Sequence, residues 1–208
     1  MQISAALVAT AAGVRDFPRD RLAEVALVGR SNVGKSSLIN ALVRQKIART
    51  SSAPGKTRLA NFYRVQRGAM PPLYLVDLPG YGYTRRVRSV PGAARERPFS
   101  ELAEDYFGRC SDAHAAPKPM AVLLMVDARH PGLDADEDAW TWLGSLPCPR
   151  AVVGTKADKL TRAERARCAR ELESLFDVPV PLVSALTGEG LDELWKLIAR
   201  LPNRKTAP

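Results

Sequence analysis

The chain has 208 residues, of which 46% are hydrophobic, and this size suits one domain with short additions. No stretch approaches 18 consecutive apolar residues, which argues against a membrane span. Three widely spaced cysteines and only two histidines argue against a disulfide framework or a zinc site. The net charge of +9 is unevenly spread, with no acidic residue between Val25 and Val76, and it favours a polyanionic partner.

In the first half of the chain, an N-terminal segment precedes alternating predicted strands and helices. Residues 1–23 are expected to form an arm or strand packed on the domain, and no cleaved leader is expected because the start is not basic. The apolar run from Glu24 to Gly29 predicts a buried strand, and helical spacing predicts a helix from Lys35 to Val43. Strands at 59–65 and 72–77, joined by a short connection, predict an antiparallel hairpin.

The second half continues the alternation up to a short tail. Helices are predicted at 99–107, 134–146, 161–176 and 190–201, and strands at 120–127, 150–155 and 178–185. Thr161 and Glu164 fit a capping box, which marks the start of the third of these helices. The pattern predicts an α/β domain over 24–201, with a mostly parallel sheet, helices on both faces and a disordered basic tail at 202–208.

A phosphate-binding loop is predicted between the first strand of the domain and its helix. The stretch from Gly29 to Ser36 fits the pattern G-x-x-x-x-G-K-S, in which glycines let successive N–H groups face a phosphate. The helix N-terminus adds positive potential, Lys35 would reach the outer phosphates, and the Ser36 hydroxyl would bind Mg²⁺. The predicted nucleotide contacts here are Gly29, Arg30, Ser31, Asn32, Val33, Gly34, Lys35, Ser36 and Ser37. The loop alone does not select the nucleotide.

A second loop, Thr155-Lys156-Ala157-Asp158, indicates that the base is guanine. The Asp158 carboxylate can accept two hydrogen bonds from the N1–H and the exocyclic amine of guanine, donors that adenine lacks. This feature argues against an ATP-dependent kinase. The stem of Lys156 would lie against the base, and the Ala185 N–H would meet the guanine carbonyl oxygen. The predicted base contacts are Thr155, Lys156, Asp158, Val183, Ser184 and Ala185.

Two further segments are predicted to respond to a triphosphate. In the first, Asp77 would hold Mg²⁺ through water and the Gly80 N–H would reach a γ-phosphate. In the second, Thr57 would complete Mg²⁺ coordination, together with Ser36, only while that phosphate is present, so hydrolysis would release both segments. Their predicted nucleotide contacts are Gly55, Lys56, Thr57, Asp77, Leu78, Pro79 and Gly80.

In chain order, the motifs resemble those of the translation-factor-like GTPases: the phosphate loop, Thr57, Asp77–Gly80, Thr155–Asp158 and Ser184–Leu186. The longer phrases resemble one bacterial family, EngB. Those phrases are GRSNVGKSSLIN, ARTSSAPGKT, NFY, LVDLPGYGY, VDARHP and TKADKL. The resemblance implies a three-layer P-loop NTPase fold whose six-stranded, mostly parallel sheet contains one antiparallel strand. It also implies a cytoplasmic, Mg²⁺-dependent GTPase that binds the large ribosomal subunit during assembly and is linked to cell division and septation. The chain departs from the family at Ala185, where a second serine is expected, and over 85–107, which matches poorly.

The hydrolytic residues are predicted to be Lys35, Thr57 and Gly80. Many GTPases place a glutamine after Asp-x-x-Gly to orient the attacking water. Tyr81 occupies that position, which predicts slow intrinsic hydrolysis accelerated by a partner. Asn32 has two explanations that stay open. It could ligate K⁺ near the phosphates, as an asparagine does at this position in related GTPases, or it could simply tolerate a tight turn.

Basic residues near the two responsive segments predict contact with the backbone of ribosomal RNA. They include Arg49, Arg58, Arg85, Arg86 and Arg88. No DNA partner is expected, and the chain is expected to be monomeric. One alternative is a GTP-regulated switch that binds a protein or membrane surface in septum formation without direct rRNA contact. The GTPase half of an RNA-modification or transport enzyme is disfavoured, because no second catalytic domain or membrane segment is predicted.

Overall fold

The computed structural model describes residues 2–50, 59–81, 99–109 and 121–203. The strands are β1 (Ile3–Ala11), β2 (Ala23–Gly29), β3 (Ala60–Arg67), β4 (Leu73–Asp77), β5 (Ala121–Asp127) and β6 (Arg150–Thr155). The α-helices are α1 (Lys35–Val43), α2 (Glu101–Gly108), α3 (Asp134–Leu143), α4 (Arg162–Phe176) and α5 (Leu191–Arg200). Short 3₁₀ turns lie at Val14–Asp16, Ala157–Lys159 and Leu201–Asn203.

The six strands form one sheet in the order β1-β3-β4-β2-β5-β6. β2 pairs in parallel with β4 and β5, and β5 pairs in parallel with β6. β3 runs antiparallel to both of its neighbours, β1 and β4. The predicted six-stranded, mostly parallel sheet with one antiparallel strand is therefore confirmed, as is the hairpin of β3 and β4.

The membership of the sheet differs from the prediction at both ends of the chain. The sixth strand is β1, at the edge of the sheet, and the strand predicted at 178–185 does not form. That segment has only an isolated bridge between Gly154 and Leu182, with hydrogen bonds from the Gly154 N–H to the Pro181 carbonyl and from the Val183 N–H to the Gly154 carbonyl. Pro179 and Pro181 have no N–H to donate, so a regular ladder cannot extend along this segment.

Two apolar layers enclose the sheet, because successive residues of a buried strand point to opposite faces. In β2, Ala26 and Val28 join the layer formed with α2, α3 and α4, whereas Val25 and Leu27 join the layer formed with α1 and α5. Both sets are inaccessible to solvent. The predicted three-layer arrangement with helices on both faces is thus confirmed.

Helix termini follow the local sequence closely. The Thr161 side chain accepts a hydrogen bond from the Glu164 N–H, and the Glu164 carboxylate accepts one from the Thr161 N–H, which completes the predicted capping box of α4. None of the helices in the described ranges is long and apolar enough to cross a membrane.

The parallel strands β2, β4, β5 and β6 end at a common edge of the sheet, and the predicted site residues lie on the loops there.

Candidate functional site

The phosphate-loop sequence forms a tight turn between β2 and α1. Gly34 has φ of 108° and Asn32 has φ of 65°, both in the left-handed region that glycine and asparagine tolerate. A Cβ on Gly29 would lie 2.7 Å from the Met125 carbonyl oxygen, so no larger residue fits there. The first turn of α1 begins with the hydrogen bond from the Leu38 N–H to the Gly34 carbonyl, at 2.8 Å. The N–H groups that precede Leu38 have no acceptor within the helix, as at any helix N-terminus, which makes this end of α1 suited to an anion.

A buried polar cluster lies at the mouth of this turn. The Lys35 ammonium donates to the carbonyl oxygens of Gly29 (3.0 Å) and Arg30 (3.4 Å). The Ser36 hydroxyl donates to Asp77 Oδ2 at 2.8 Å. Burial raises the pKa of Asp77 against the attraction of Lys35 and the hydrogen bond from Ser36, and it lowers the pKa of Lys35.

The donor set of this cluster fits Mg²⁺. Asp77 Oδ1 is buried and has no hydrogen-bond partner among the described residues, so an oxygen is available to a cation or to its bound water. Mg²⁺ prefers oxygen ligands and keeps several waters, so one hydroxyl, one carboxylate and two phosphate groups would suit it. The described residues contain no cluster of three or more histidine, cysteine or acidic side chains that could hold a metal ion.

The base-loop sequence borders a cavity of about 300 Å³ next to the phosphate loop. Its lining includes eight of the predicted nucleotide contacts: Val33, Gly34, Ser37, Thr155, Lys156, Asp158, Val183 and Ala185. Three residues that the sequence analysis did not predict also line it: Leu38, Lys159 and Leu186. Leu186 is 77% exposed, so it brings an apolar side chain to the solvent-facing part of the lining.

Ser184 lies behind the cavity rather than in its wall. The residue is fully buried, and its hydroxyl donates to Asp158 Oδ1 at 2.7 Å while accepting the N–H groups of Leu186 and Thr187. The bond from Ser184, followed by that from Lys159, lowers the pKa of Asp158 and so keeps it a charged acceptor. Any effect of Ser184 on a bound base would therefore be exerted through Asp158.

Two side chains of the base loop fasten it to the phosphate loop. The Thr155 hydroxyl lies 2.8 Å from the Val33 carbonyl, and the Lys156 ammonium donates to the Asn32 carbonyl at 2.7 Å. Lys156 also pairs with Asp127 at 2.8 Å. These bonds join the loop that would read the base to the loop that would hold the phosphates.

Asp127 was missed by the sequence analysis. Arg129 donates to both carboxylate oxygens of Asp127, at 2.9 and 2.7 Å. Burial alone would raise the pKa of Asp127, but the hydrogen bonds from Arg129 and Lys156 outweigh it and hold this pKa well below its usual range. The sequence did contain a sign of its role, because Asp127 ends β5 just as Asp77 ends β4, and both strands end at the edge of the sheet where the site lies.

The segment after β4 is packed against the phosphate loop. Leu78 and Pro79 are buried, and the Leu78 side chain lies in the core, so only main-chain atoms of Leu78 could meet a nucleotide. Gly80 is so close to the loop that a Cβ would lie 2.8 Å from the Ser31 nitrogen. The next residue, Tyr81, is buried, and its hydroxyl donates to Asp136 at 2.7 Å rather than facing the cluster around Lys35.

Several predicted residues are placed less directly. The Arg30 side chain pairs with Asp136 at 3.3 Å, and Arg49 is exposed on the segment after α1. Gly55, Lys56 and Thr57 lie outside the described residues, as do Arg58, Arg85, Arg86 and Arg88 and the tail from 204.

Comparisons with known proteins agree on one group. A family model described as a 50S ribosome-binding GTPase matches residues 24–156. A probable GTP-binding protein EngB from Pelotomaculum thermopropionicum is 40% identical to the chain, over 95% of this chain and 94% of that protein.

Solved structures share the same fold. The crystal structure of Era in complex with MgGDPNP and nucleotides 1506–1542 of 16S ribosomal RNA is 27% identical with a TM-score of 0.68. The match covers 87% of this chain but 57% of the Era chain, so this chain spans little more than half of that length. A crystal structure of a probable GTP-binding protein EngB aligns with 21% identity and a TM-score of 0.57, over 87% of this chain and 99% of that one.

Proposed function

The chain belongs to the EngB family of GTP-binding proteins and is a GTPase, and from this we propose that it is a cytoplasmic switch whose nucleotide state controls binding to the large ribosomal subunit during assembly. The observation that carries the proposal is the meeting of three elements at one edge of the sheet. They are the phosphate loop, the Ser36–Asp77 pair with its available oxygen, and the cavity bordered by Asp158. Together they provide places for phosphates, Mg²⁺ and guanine.

The residues of the site divide the work of binding GTP. Lys35 would exchange its two carbonyl partners for the outer phosphate oxygens, and the N–H groups of the loop would surround the inner phosphate. Ser36 and Asp77 would hold Mg²⁺, which neutralises charge on the phosphates when bound. Asp158 would accept two hydrogen bonds from guanine, fixed in place by Ser184.

The switch in this proposal depends on the γ-phosphate. The Gly80 N–H, held at the phosphate loop, would bind that phosphate, and Thr57 would join the Mg²⁺ shell at the same time. After hydrolysis both contacts are lost, which changes the surface that a partner meets. The exposed Arg49 would contact rRNA phosphates, and so would Arg58, Arg85, Arg86 and Arg88, which belong in sequence to the two segments that would respond to the triphosphate.

Slow intrinsic hydrolysis is part of the proposal. The Tyr81 hydroxyl is engaged by Asp136, so it does not supply the water-orienting group that many GTPases place at this position. A partner would then be required to accelerate the reaction. Turnover of tens of GTP molecules per second by the purified protein alone would contradict this part.

A bound K⁺ is a separable part of the proposal. Asn32 is in the left-handed conformation and its carbonyl is fixed by Lys156, so its side chain is presented on a defined turn beside the phosphates. A K⁺ ligated there would stabilise charge in the transition state. Turnover measured in KCl and in NaCl at equal ionic strength tests the idea. Equal rates would mean that Asn32 serves only the turn.

The central test is co-sedimentation with purified ribosomal subunits, with GDP or a non-hydrolysable GTP analogue present. The proposal expects stronger binding to large subunits with the analogue, and binding that weakens steeply as salt rises. The variant Lys35→Met, which keeps side-chain length and removes charge, should lose the difference between nucleotides. Absent binding, or equal binding in both states, would overturn the switch.

The alternative is a GTP-regulated switch for a protein or membrane surface in septum formation. It would be favoured if association with a cell fraction survives both high salt and nuclease treatment, since rRNA contacts would not. The family model's description as ribosome-binding and the RNA in the similar Era complex support the ribosomal partner instead.

A further inference from the structure

Three side chains from separate parts of the chain form a polar cluster beside the phosphate loop, in which Tyr81 and Asp136 are buried and Arg30 is partly exposed. Tyr81 follows Gly80, Asp136 lies in the first turn of α3, and Arg30 is the second residue of the phosphate-loop sequence. The Tyr81 hydroxyl donates to Asp136 Oδ1 at 2.7 Å, and the Arg30 Nε lies 3.3 Å from the same oxygen. We call these three residues the Tyr81 clasp.

The clasp is enclosed by apolar groups. Asp136 has no solvent exposure, and the Tyr81 ring packs edge-on against Phe99 with centroids 5.3 Å apart. Asp136 Oδ2 is buried and finds no hydrogen-bond partner among the described residues. Burial of an incompletely paired carboxylate is costly, and a well-packed apolar group of similar size would stabilise this position at least as well. Stability therefore does not explain the clasp, whereas the geometry it imposes on the main chain does.

The main chain beside the clasp holds Gly80 against the phosphate loop. The Ser31 N–H donates to the Tyr81 carbonyl at 3.2 Å, and Arg30 and Tyr81 form an isolated parallel bridge. The Gly80 backbone is within van der Waals contact of Ser31, as the 2.8 Å gap for a Cβ shows. With its ring packed and its hydroxyl bound to Asp136, Tyr81 leaves the preceding peptide little freedom.

We infer that Asp136 is a positioning residue which, through Tyr81, holds the Gly80 N–H where a γ-phosphate would accept it. Asp136 touches no nucleotide in this arrangement, and its effect is specific for the triphosphate because GDP has no group that reaches Gly80. The inference rests on the proposed function, since it requires that the site binds both GDP and GTP. Beyond that function, the inference says that a residue of α3, Asp136, determines how strongly the site prefers the triphosphate over GDP.

The test compares the affinities of wild type and Tyr81→Phe for GDP and for the imido analogue of GTP, measured by fluorescence titration. Tyr81→Phe removes one hydroxyl and keeps the packed ring. The analogue should bind about 5- to 10-fold more weakly, which is the expected effect of losing one buried hydrogen bond, while GDP affinity should stay within about 2-fold. Asp136→Asn keeps an acceptor for Tyr81 and should give a smaller change in the same direction.

Tyr74→Phe is the matched control. Tyr74 is a buried tyrosine of the same apolar layer whose hydroxyl donates to Asp20 at 2.8 Å, in the strand β4 but away from the loops. It should leave the ratio of the two affinities unchanged, even if it lowers stability as much as Tyr81→Phe. Should Tyr81→Phe fail to fold, Asp136→Asn carries the test.

An equal loss of affinity for both nucleotides, or no loss for either, would show that the clasp is only structural and would overturn the inference. Failure of the proposed function gives a different result, because wild type would then still bind both nucleotides but would not co-sediment with large subunits in a nucleotide-dependent way.

Discussion

Replacing Ser184 by alanine should lower the affinity for guanine nucleotides, although Ser184 does not line the cavity. In the structure the Ser184 hydroxyl is the group that fixes Asp158, at 2.7 Å, and it is itself held by two main-chain N–H groups. Ser184→Ala leaves the Asp158 carboxylate without this donor, so the carboxylate can turn away from the base or toward Lys159, which lies 3.4 Å away.

The size of the effect follows from the charge of the acceptor. A hydrogen bond to a charged group contributes about 1.5–3 kcal/mol, which corresponds to about 10- to 150-fold in affinity. GDP would make two hydrogen bonds to Asp158, whereas inosine diphosphate lacks the exocyclic amine and would make one. GDP affinity should therefore fall by about 10-fold or more, and inosine diphosphate affinity should fall less, so that the preference for GDP shrinks.

Isothermal titration with both nucleotides measures this preference directly. Ser145→Ala is the matched control, because the Ser145 hydroxyl also makes a 2.7 Å hydrogen bond, to the Trp142 carbonyl, but at an exposed position. It should change neither affinity. If Ser184→Ala weakened the two nucleotides by the same factor, the loss would come from general loosening of the loop, and the reasoning would be refuted.

Two further predictions concern base choice and pH. Asp158→Asn presents an amide N–H where guanine also donates, so GDP affinity should fall on the order of 10³-fold. Xanthosine diphosphate has a carbonyl in place of the amine, so in the same titration it should bind the variant better than wild type. Burial raises the pKa of Glu24 to about 7 against the attraction of Arg109. The folded protein therefore keeps the Glu24 proton up to about pH 7, whereas the unfolded chain releases it near pH 4.5. The free energy of unfolding is highest below pH 4.5, and ~3 kcal/mol of it is lost as the pH rises from 4.5 through 7. Urea unfolding from pH 4.5 to 8 should show this fall, and Glu24→Gln should flatten it; a flat wild-type profile would contradict the assignment.

The parts of the fold that sequence patterns predicted are those governed by neighbouring residues. The phosphate loop, α1 from Lys35 to Val43 and the capping box of α4 each depend on residues a few positions apart, and each is where the pattern indicates. The parallel register of β2, β4 and β5 also follows, because fully apolar strands alternating with helices have few other arrangements.

What the sequence did not predict depends on contacts between distant segments. Apolar residues from 178 to 185 favoured a strand, but two prolines remove the donors that a ladder requires. The pairing of β1 with β3 was not predicted, because the paired residues are 49 positions apart at Ala11–Ala60 and 64 apart at Ile3–Arg67. Asp136 lies among several acidic residues at the start of α3, a pattern that does not indicate burial, and only its contact with Tyr81 from another segment shows that it is buried.

The reversal of β3 shortens the path between the two segments that would sense a triphosphate. Asn61, near the start of β3, pairs with Asp77, the last residue of β4, so the chain between α1 and β3 enters the sheet at the edge where Mg²⁺ would bind. If β3 ran parallel to β4, it would begin at the opposite end of β4. That end is about 16 Å from Asp77, because β4 has five residues. The connecting loop would then have to cross the sheet to return. One antiparallel strand would therefore let Thr57, which precedes β3 in the chain, and Asp77, at the end of β4, bind the same ion.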